Sequence, residues 1–238
     1  MSLESLVSGL LPGTGYISGF ADLRGLLHPN FSAYHSAFVI GKRLDDGIID
    51  SLNPGGPTPE YHELYLQTNE LLDNLTRRIS QTLNGLGIKN LPMAAAGSKD
   101  AAYYLEDYPK TLRMSFSHKM AATRAGLGWI GKTDLFISKT YGPRVRLASV
   151  LLASEVEHKT EPVTKSLCGV CRACVDACPA GAANGKLWNV NTDRDEFYDV
   201  FKCRDMAQDL SRKNLGLDSR ICGICVSACP VGKKTRSL

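Results

Sequence analysis

Short runs of β-branched and aromatic residues, bounded by glycine, proline and asparagine, recur through the first two thirds of the chain. Such runs are typical of strands that are buried on at least one face. The pattern predicts strands at residues 15–22, 36–40, 88–96, 135–137 and 144–152.

Helical periodicity begins after a turn-rich segment. A helix should start with Thr58 as N-cap and Pro59 at the first helical position, where a proline loses no hydrogen bond, and Gly85 should end it. The apolar face predicted for this helix comprises Leu64, Leu71, Leu75, Ile79 and Leu83. A second helix is predicted at residues 117–125. Strands interspersed with helices predict an α+β domain, a sheet flanked by helices, over residues 1–156.

The composition is that of a folded protein. With 238 residues, 43% of them hydrophobic and 22% charged, the chain can bury one large or two modest cores. The longest apolar run, residues 145–153, is interrupted by Arg146 and Ser149 and is too short for a membrane span. Glu4 replaces the cations of a secretory signal, so we expect a cytoplasmic protein. A net charge of +4 neither demands nor excludes a polyanionic partner.

All eight cysteines lie after residue 167, which indicates a second domain. The polar segment 155–166 is the predicted linker, and it places the domains at residues 1–156 and 157–238. In a reducing compartment, clustered cysteines are more often metal ligands than disulfide halves.

The first cysteine run has the spacing of bacterial ferredoxins. It reads C-x2-C-x2-C-x3-C-P, in which the fourth cysteine binds a second cluster. A second run, C-x2-C-x3-C-P, follows; it has Ser219 where the first run has its first cysteine, and Cys203 is the remaining thiol. We therefore expect a ferredoxin-like domain with two [4Fe-4S] clusters.

The eight cysteines are enough to supply the eight ligands that two such clusters need. The first cluster is assigned to Cys168, Cys171, Cys174 and Cys229, and the second to Cys178, Cys203, Cys222 and Cys225. Two structural zinc ions are the alternative, although three cysteines at this spacing would crowd a tetrahedral zinc. A disulfide framework is the less favoured alternative. Gly169 and Gly223 are expected to let backbone N–H groups approach the sulfurs.

The segment 126–133 imitates a nucleotide-binding loop. It satisfies both G-x4-G-K-S/T and G-x-G-x-x-G, but those motifs need a strand before the loop and a helix after it. Here the preceding residues are typical of a helix and the following ones of a strand. The glycines are therefore interpreted as a helix stop and tight turn in a structural or substrate-facing loop.

Several segments together resemble a known family. AGLGWIGK at residues 125–132, the two cysteine runs, GYISGFADLRGL, YHELYLQTNELLDNLTRRI and YGPRVRL resemble epoxyqueuosine reductases and cobalamin-dependent reductive dehalogenases. The resemblance implies two [4Fe-4S] clusters that feed electrons to a base-off cobalamin. The stretch 111–118 lacks the aspartate proton donor of the transfer RNA enzymes, and the sequence ends soon after its last cysteine. Together these two departures lead us to expect a short, divergent relative.

The resemblance also suggests site residues. His118 and Tyr141 are the candidate proton donors over a corrinoid; a solvent-facing histidine is the alternative for the first. Arg144 and Arg146 could contact cofactor propionamides or an anionic substrate, or be salt-bridged on a polar strand face.

The function predicted is an iron-sulfur reductase that passes electrons to a corrinoid for reduction of an unknown substrate. The alternatives are an electron-transfer or reductive-activation protein that serves a partner enzyme, and a flavin-bearing domain joined to a ferredoxin. Expected partners are an electron donor such as ferredoxin or flavodoxin and a substrate or acceptor protein, without a membrane. The eight cations from Lys202 onward could contact nucleic acid, but compensation of cluster charge is the favoured interpretation.

Overall fold

The computed structural model describes residues 3–52, 54–95, 104–156 and 160–233. The contacts between residues divide the chain into two compact units, each built from three stretches of sequence. The sheet unit comprises Met1–Lys42, Thr68–Leu127 and Arg146–Val163, and the cysteine unit comprises Arg43–Gln67, Gly128–Val145 and Thr164–Leu238. The sequence predicted a single boundary between residues 156 and 157, whereas the cysteine unit also includes two stretches from the first part of the chain.

The described part of the chain mixes strands and helices, and the predicted α+β fold class is confirmed. The strands are β1 (Tyr16–Asp22), β2 (Ser36–Arg43), β3 (Asn90–Met93), β4 (Gly128–Ile130), β5 (Phe136–Ser138) and β6 (Val145–Leu152). The α-helices are α1 (Leu3–Ser8), α2 (Asp46–Asp50), α3 (Pro59–Gly85), α4 (Tyr108–Thr111), α5 (His118–Arg124), α6 (Ala173–Asp176), α7 (Val200–Leu215) and α8 (Ile224–Ala228). No helix in the described part of the chain combines the length and apolar character that crossing a bilayer demands.

The sheet unit is organised around a four-stranded sheet in the order β1-β2-β6-β3. β1 pairs antiparallel with β2, and β3 pairs antiparallel with β6. The first six residues of β2 are all buried, because this strand is central and both of its faces are covered. Helix α5 packs against β1, and residues of α3 share a core with Phe38, Ile40 and Val150 of the sheet.

The start of α3 was predicted correctly. The helix begins at Pro59, and the Thr58 hydroxyl accepts a hydrogen bond from the Tyr61 backbone N–H at 3.2 Å, as an N-cap residue should. The predicted apolar face is wrong in one position. Leu71 is 37% exposed, whereas Leu72 is fully buried. Neighbouring helical positions are turned by about 100° from each other, and Leu72 is the one that continues the stripe of Leu75, Ile79 and Leu83.

The predicted helix precedes the glycine-rich segment. The segment itself contains a strand that the sequence pattern did not predict. Helix α5 is capped by Ser117, whose side chain accepts from the Met120 N–H, and it ends at Arg124. Gly126 has a φ of 71°, as a helix stop requires. The chain then forms β4, which pairs antiparallel with β5. The order is thus helix, strand, turn, strand, which is the reverse of a phosphate-binding loop.

The cysteine unit has its own apolar core. Leu44, Ile49 and Leu52 pack with Tyr61, Ile221 and Val226. Helices α2 and α6 each contact α8, so the short helices around the cysteine runs are held by this core rather than by their own length, which is below that of a stable isolated helix.

Two glycine backbones in the cysteine unit touch each other directly. Gly142 and Gly232 have φ values of 58° and 80°. A methyl group on Gly142 would overlap the Val231 carbonyl, and one on Gly232 would overlap the Tyr141 carbonyl. Only glycine permits both the left-handed backbone and this close approach.

We expect Gly142→Ala to destabilise the protein more than Gly216→Ala does. Gly216 has a φ of 67° with no atom within 4 Å of an added methyl group, so both variants carry the left-handed penalty of about 1 to 2 kcal/mol. Only the first also overlaps a neighbouring backbone, at a further cost of about 1 to 3 kcal/mol. Anaerobic thermal unfolding of both variants measures the difference; equal losses would contradict the close approach.

Candidate metal centres

The structure brings four thiols of the predicted first ligand set together. Burial, with a contribution from the neighbouring thiols of Cys174, Cys168 and Cys171, raises the pKa of the Cys229 thiol to about 11. Burial and the thiols of Cys168 and Cys171 likewise raise the pKa of Cys174. Cys229 thus lies beside the first cysteine run, although it is about fifty residues away in sequence.

The other four thiols form a second group. Burial raises the pKa of the Cys222 thiol to about 11, with further contributions from Cys203 and Cys178. Burial also raises the pKa of Cys225, as do its neighbours Cys222, Cys203, Cys174 and Cys178. The interaction of Cys225 with Cys174 joins the two groups. No disulfide links any of the eight cysteines, all of which lie within the described residues.

Two short helices and tight turns position these thiols. Cys174 lies on α6 and Cys225 on α8. The Ile224 backbone hydrogen-bonds to the Cys222 sulfur and the Val231 backbone to the Cys229 sulfur, so each of the predicted groups receives a backbone donor. Gly223 has a φ of 84° and packs against Leu52 and Tyr61, which leave no room for a side chain.

The donor set fits an iron-sulfur cluster. Soft thiolates in fours are the ligands that iron-sulfur cubanes use. Burial and the neighbouring thiols raise the pKa values of five of these thiols, Cys174, Cys203, Cys222, Cys225 and Cys229. A cationic iron-sulfur core would take the place of their protons and offset the repulsion.

Three side chains outside the cysteine runs also contact the cysteine sulfurs; Trp129 and Thr133 are buried, and Tyr198 is partly buried. The Trp129 indole Nε1 donates to the Cys168 Sγ at 3.4 Å. The Thr133 hydroxyl hydrogen-bonds to the Cys174 sulfur, and the Tyr198 hydroxyl to the Cys203 sulfur. No spacing rule identifies such donors. The glycine-rich motif marks Thr133, but it suggests phosphate as the partner rather than sulfur.

Lys132 of the same motif is directed at the first cysteine run. Its Nζ donates to the carbonyl oxygens of Gly169 and Cys171, both at 2.9 Å, and the residue is only 4% exposed. The lysine therefore binds the chain that carries the cysteines, in the position where a nucleotide-binding loop would present it to phosphate.

His118 belongs to the sheet unit, and its side chain is partly buried. Its Nε2 lies 2.8 Å from the Ala94 carbonyl oxygen and its Nδ1 lies 2.9 Å from the Ser149 Oγ. A carbonyl can only accept, so Nε2 carries the proton and Nδ1 accepts from the serine hydroxyl. Burial lowers the pKa of His118 from 6.5 to about 4. The hydrogen bond to the Ala94 carbonyl opposes this change, and the charge of Arg146 adds to it. Both ring nitrogens of this partly buried side chain therefore have protein partners.

The two arginines belong to different units. Arg144 precedes β6 in the cysteine unit and is fully buried. Its Nη1 lies 3.3 Å from the Asp46 Oδ1 and its Nη2 lies 2.5 Å from the Asp50 Oδ1. Its Nε has no hydrogen-bond partner among the described residues. In the sheet unit, the Arg146 Nε donates to the Asn69 Oδ1 at 3.0 Å.

Tyr141 lies in the cysteine unit, where its partly buried ring contacts an arginine. The guanidinium carbon of Arg43 lies 5.1 Å from the centroid of the ring, and Arg43 also pairs with Asp46. Tyr141 is thus adjacent to the Asp46 pair that holds Arg144, and the backbone N–H of Arg144 donates to the Tyr141 carbonyl at 3.2 Å.

Three cations of the basic C-terminal region have local partners. Ion pairs join Lys202 to Asp199, Arg204 to Asp205 and Arg212 to Asp218. Lys234 and Arg236 lie outside the described residues. The charge of this region is therefore partly balanced by neighbouring aspartates, which weakens both the nucleic-acid and the cluster-compensation interpretations of those three side chains.

A protein-family model matches part of the chain. Residues 167–232 match the 4Fe-4S double cluster binding domain. Epoxyqueuosine reductase of Lactococcus garvieae is 34% identical over 116 residues, which are 49% of this chain and 32% of that protein. The enzyme of Prochlorococcus marinus is 33% identical over 122 residues, 50% of this chain and 38% of that protein. The chain thus matches about a third of the length of these relatives.

Solved structures extend the likeness over most of the chain. An epoxyqueuosine reductase in complex with a transfer RNA stem loop superposes with a TM-score of 0.58 at 16% identity, covering 97% of this chain and 64% of that one. A reductive dehalogenase whose dehalogenation is B12-dependent gives a TM-score of 0.58 at 17% identity, covering 84% of this chain and 26% of that one. The resemblance indicated by the motifs is therefore confirmed: the chain has a double [4Fe-4S] cluster-binding domain and shares the fold of epoxyqueuosine reductases and reductive dehalogenases.

Proposed function

We propose that this chain is an iron-sulfur oxidoreductase whose two [4Fe-4S] clusters supply one-electron transfer to an acceptor bound by the protein. The observation that carries the proposal is the exchange of cysteines between the two runs. Cys229 of the second run lies with the first group, and Cys178 of the first run lies with the second.

Each group of four thiols is proposed as the complete ligand set of one cluster. The assignment uses all eight cysteines and needs no ligand from Ser219. The electrostatic contact between Cys174 and Cys225 supports two centres that are close neighbours, an arrangement that suits electron transfer from one centre to the other.

A corrinoid is the acceptor that we propose from the family resemblance. When bound, it would supply a reducible cobalt centre to the substrate. A base-off cobalamin needs no histidine ligand, which agrees with a His118 whose ring nitrogens are both engaged. Arg144, Arg146 and Tyr141 all contact protein groups in the described structure, so these residues do not by themselves define a corrin site.

Two observations bear on the substrate, the ligand of one structural neighbour and the acidic residues of the chain. A modified transfer RNA is the ligand of one structural neighbour, but the stretch 111–118 contains no carboxylate and His118 is held as a neutral ring. This observation favours the second candidate function, in which the clusters deliver electrons to a partner enzyme and the chain needs no proton donor of its own. For the reductase, Tyr141 stays the proposed hydroxyl donor, and His118 is proposed to position the strand and loop that it bridges.

We expect Cys203→Ala to lower the iron content of anaerobically purified protein from about eight atoms per chain towards about four. Cys203 lies outside both dense runs, so only its membership of the second ligand set predicts this loss. Ser219→Ala is the matched control and should retain the wild-type content, since Ser219 is not a proposed ligand.

Metal analysis of the same preparations also tests the zinc alternative. Among the described residues, no three His, Cys, Asp or Glu side chains form a group that could hold a single metal ion. Zinc in place of iron after iron-replete anaerobic expression, or an unchanged iron count in Cys203→Ala, would overturn the ligand assignment.

We expect His118→Gln to weaken the pH dependence of stability. The unfolded histidine gains a proton near its ordinary pKa of 6.5, whereas in the folded protein the pKa is about 4. The unfolded state therefore binds more protons between these values, and stability is lost as the pH falls through this window. From about pH 7.5 to about pH 5.5, the wild type should lose about 1 kcal/mol more than the variant.

Denaturant unfolding at matched cluster content measures this difference. Parallel stability curves for the two proteins would contradict a neutral His118. The comparison requires that the variant is folded at the higher pH. Glutamine is chosen because it keeps both a hydrogen-bond donor and an acceptor.

We expect the cluster-loaded protein to bind one cob(II)alamin per chain and to convert it to the base-off form. The electron paramagnetic resonance spectrum of the cobalt distinguishes base-on from base-off cobalamin directly. An unchanged base-on spectrum, with full iron content, would reject the corrinoid reductase and leave the electron-transfer protein as the function.

A further inference from the structure

We propose that the β4–β5 turn segment, residues 129–134, which begins within β4, sets unequal reduction potentials in the two clusters, with the first cluster the higher. The inference rests on the ligand sets proposed above. It assigns a role to the glycine-rich motif that imitates a nucleotide-binding loop.

The turn is held rigidly in the cysteine unit. The Gly131 backbone N–H donates to the Leu135 carbonyl at 2.8 Å, and the Asp134 N–H donates to the Gly131 carbonyl at 3.0 Å. Gly128 lies so close to the Ile137 carbonyl that no side chain fits there. The side chains that follow are therefore presented from a fixed backbone.

Three side chains of the turn segment contact the first group of thiols or the loop that carries them. Trp129 donates to the Cys168 sulfur at 3.4 Å, and Thr133 hydrogen-bonds to the Cys174 sulfur. Between them, Lys132 binds the carbonyls of the loop that separates Cys168 from Cys171.

These three side chains are buried, which strengthens their effect. Trp129 is 6% exposed, and Lys132 and Thr133 are each 4% exposed. Interactions between a charge and a nearby cluster are screened less in the protein interior than in water. Lys132 has two carbonyl partners in the protein and is enclosed, which also argues against phosphate binding by this motif.

The last residue of the turn lies close to the second group and has the opposite charge. The Asp134 carboxylate acts electrostatically on Cys203 and on Tyr198. Tyr198 hydrogen-bonds to the Cys203 sulfur. Among the described residues, the second group thus has one identified side-chain donor and a nearby anion, whereas the first has two identified side-chain donors and a nearby cation.

Reduction determines the sign of the effect. A cubane with four thiolates carries a charge of about −2 when oxidised and gains one more negative charge on reduction. Hydrogen bonds to the sulfurs and a buried cation stabilise the reduced form and raise the potential, and a carboxylate lowers it. The turn thus raises the potential of the first cluster and lowers that of the second.

A redox titration of the anaerobically purified, cluster-loaded protein, followed by electron paramagnetic resonance, tests the proposal. Trp129→Phe and Lys132→Met should each reduce the equilibrium constant for reduction of the first cluster about tenfold. This change corresponds to a potential that is lower by about 59 mV for one electron. Asp134→Asn should instead raise the potential of the second cluster, because it removes a nearby negative charge. Cys174→Ser and Cys222→Ser, each altering the spectrum of its own cluster, assign the two signals.

Two matched controls separate this effect from general loosening. Trp188→Phe removes the other tryptophan of the chain, and Lys139→Met removes an exposed lysine just after β5. Both should keep the two wild-type potentials.

The iron content separates the failure of this inference from failure of the proposed ligand sets. Variants with full iron content and unchanged first-cluster potential would overturn the role of the turn, as would equal shifts of both clusters. If Lys132→Met does not assemble clusters, the result for Trp129→Phe decides, because phenylalanine keeps the ring packing and removes only the indole N–H. A wild-type protein without about eight irons per chain would instead overturn the ligand sets.

Discussion

Eight thiols are gathered into one compact unit, where burial and their mutual repulsion oppose ionisation. Burial is the main cause that raises the pKa values of Cys222 and Cys229 to about 11, and it raises the pKa of Cys225 still more. Binding of a cationic core would reverse this penalty, since metal binding replaces the protons of its ligands. The short helices α6 and α8, the left-handed Gly223 and the close approach of Gly142 to Gly232 are all arranged around these sulfurs. The cysteine unit is therefore expected to depend on its clusters for much of its stability.

The surroundings of the two thiol groups are not equivalent. The β4–β5 turn provides an indole, a hydroxyl and an ammonium group to the first, and a carboxylate close to the second. Because these groups come from neighbouring positions on one rigid turn, a single structural element influences both centres. This arrangement would give electron transfer a preferred direction without any contribution from the cysteines themselves.

Candidate site residues of the sheet unit are held by neighbouring protein groups in the described part of the chain. The central strand β2 is buried on both faces, and His118 is fixed by Ala94 and Ser149. Arg146 is bound to Asn69. The two candidate residues of this unit that the sequence singled out, His118 and Arg146, therefore both have protein partners.

The sequence by itself determined the local features. The cysteine spacing, the N-caps Thr58 and Ser117, the helix stop at Gly126 and most of the strands depend on interactions between residues that are close in the chain. Tertiary structure decided the rest. The choice of Leu72 over Leu71 depends on which way α3 faces the sheet, and the engagement of His118 depends on a strand 31 residues away. The partners of Trp129, Lys132 and Thr133 lie about forty residues away, so only the folded chain shows that a motif resembling a phosphate loop binds a cysteine loop instead.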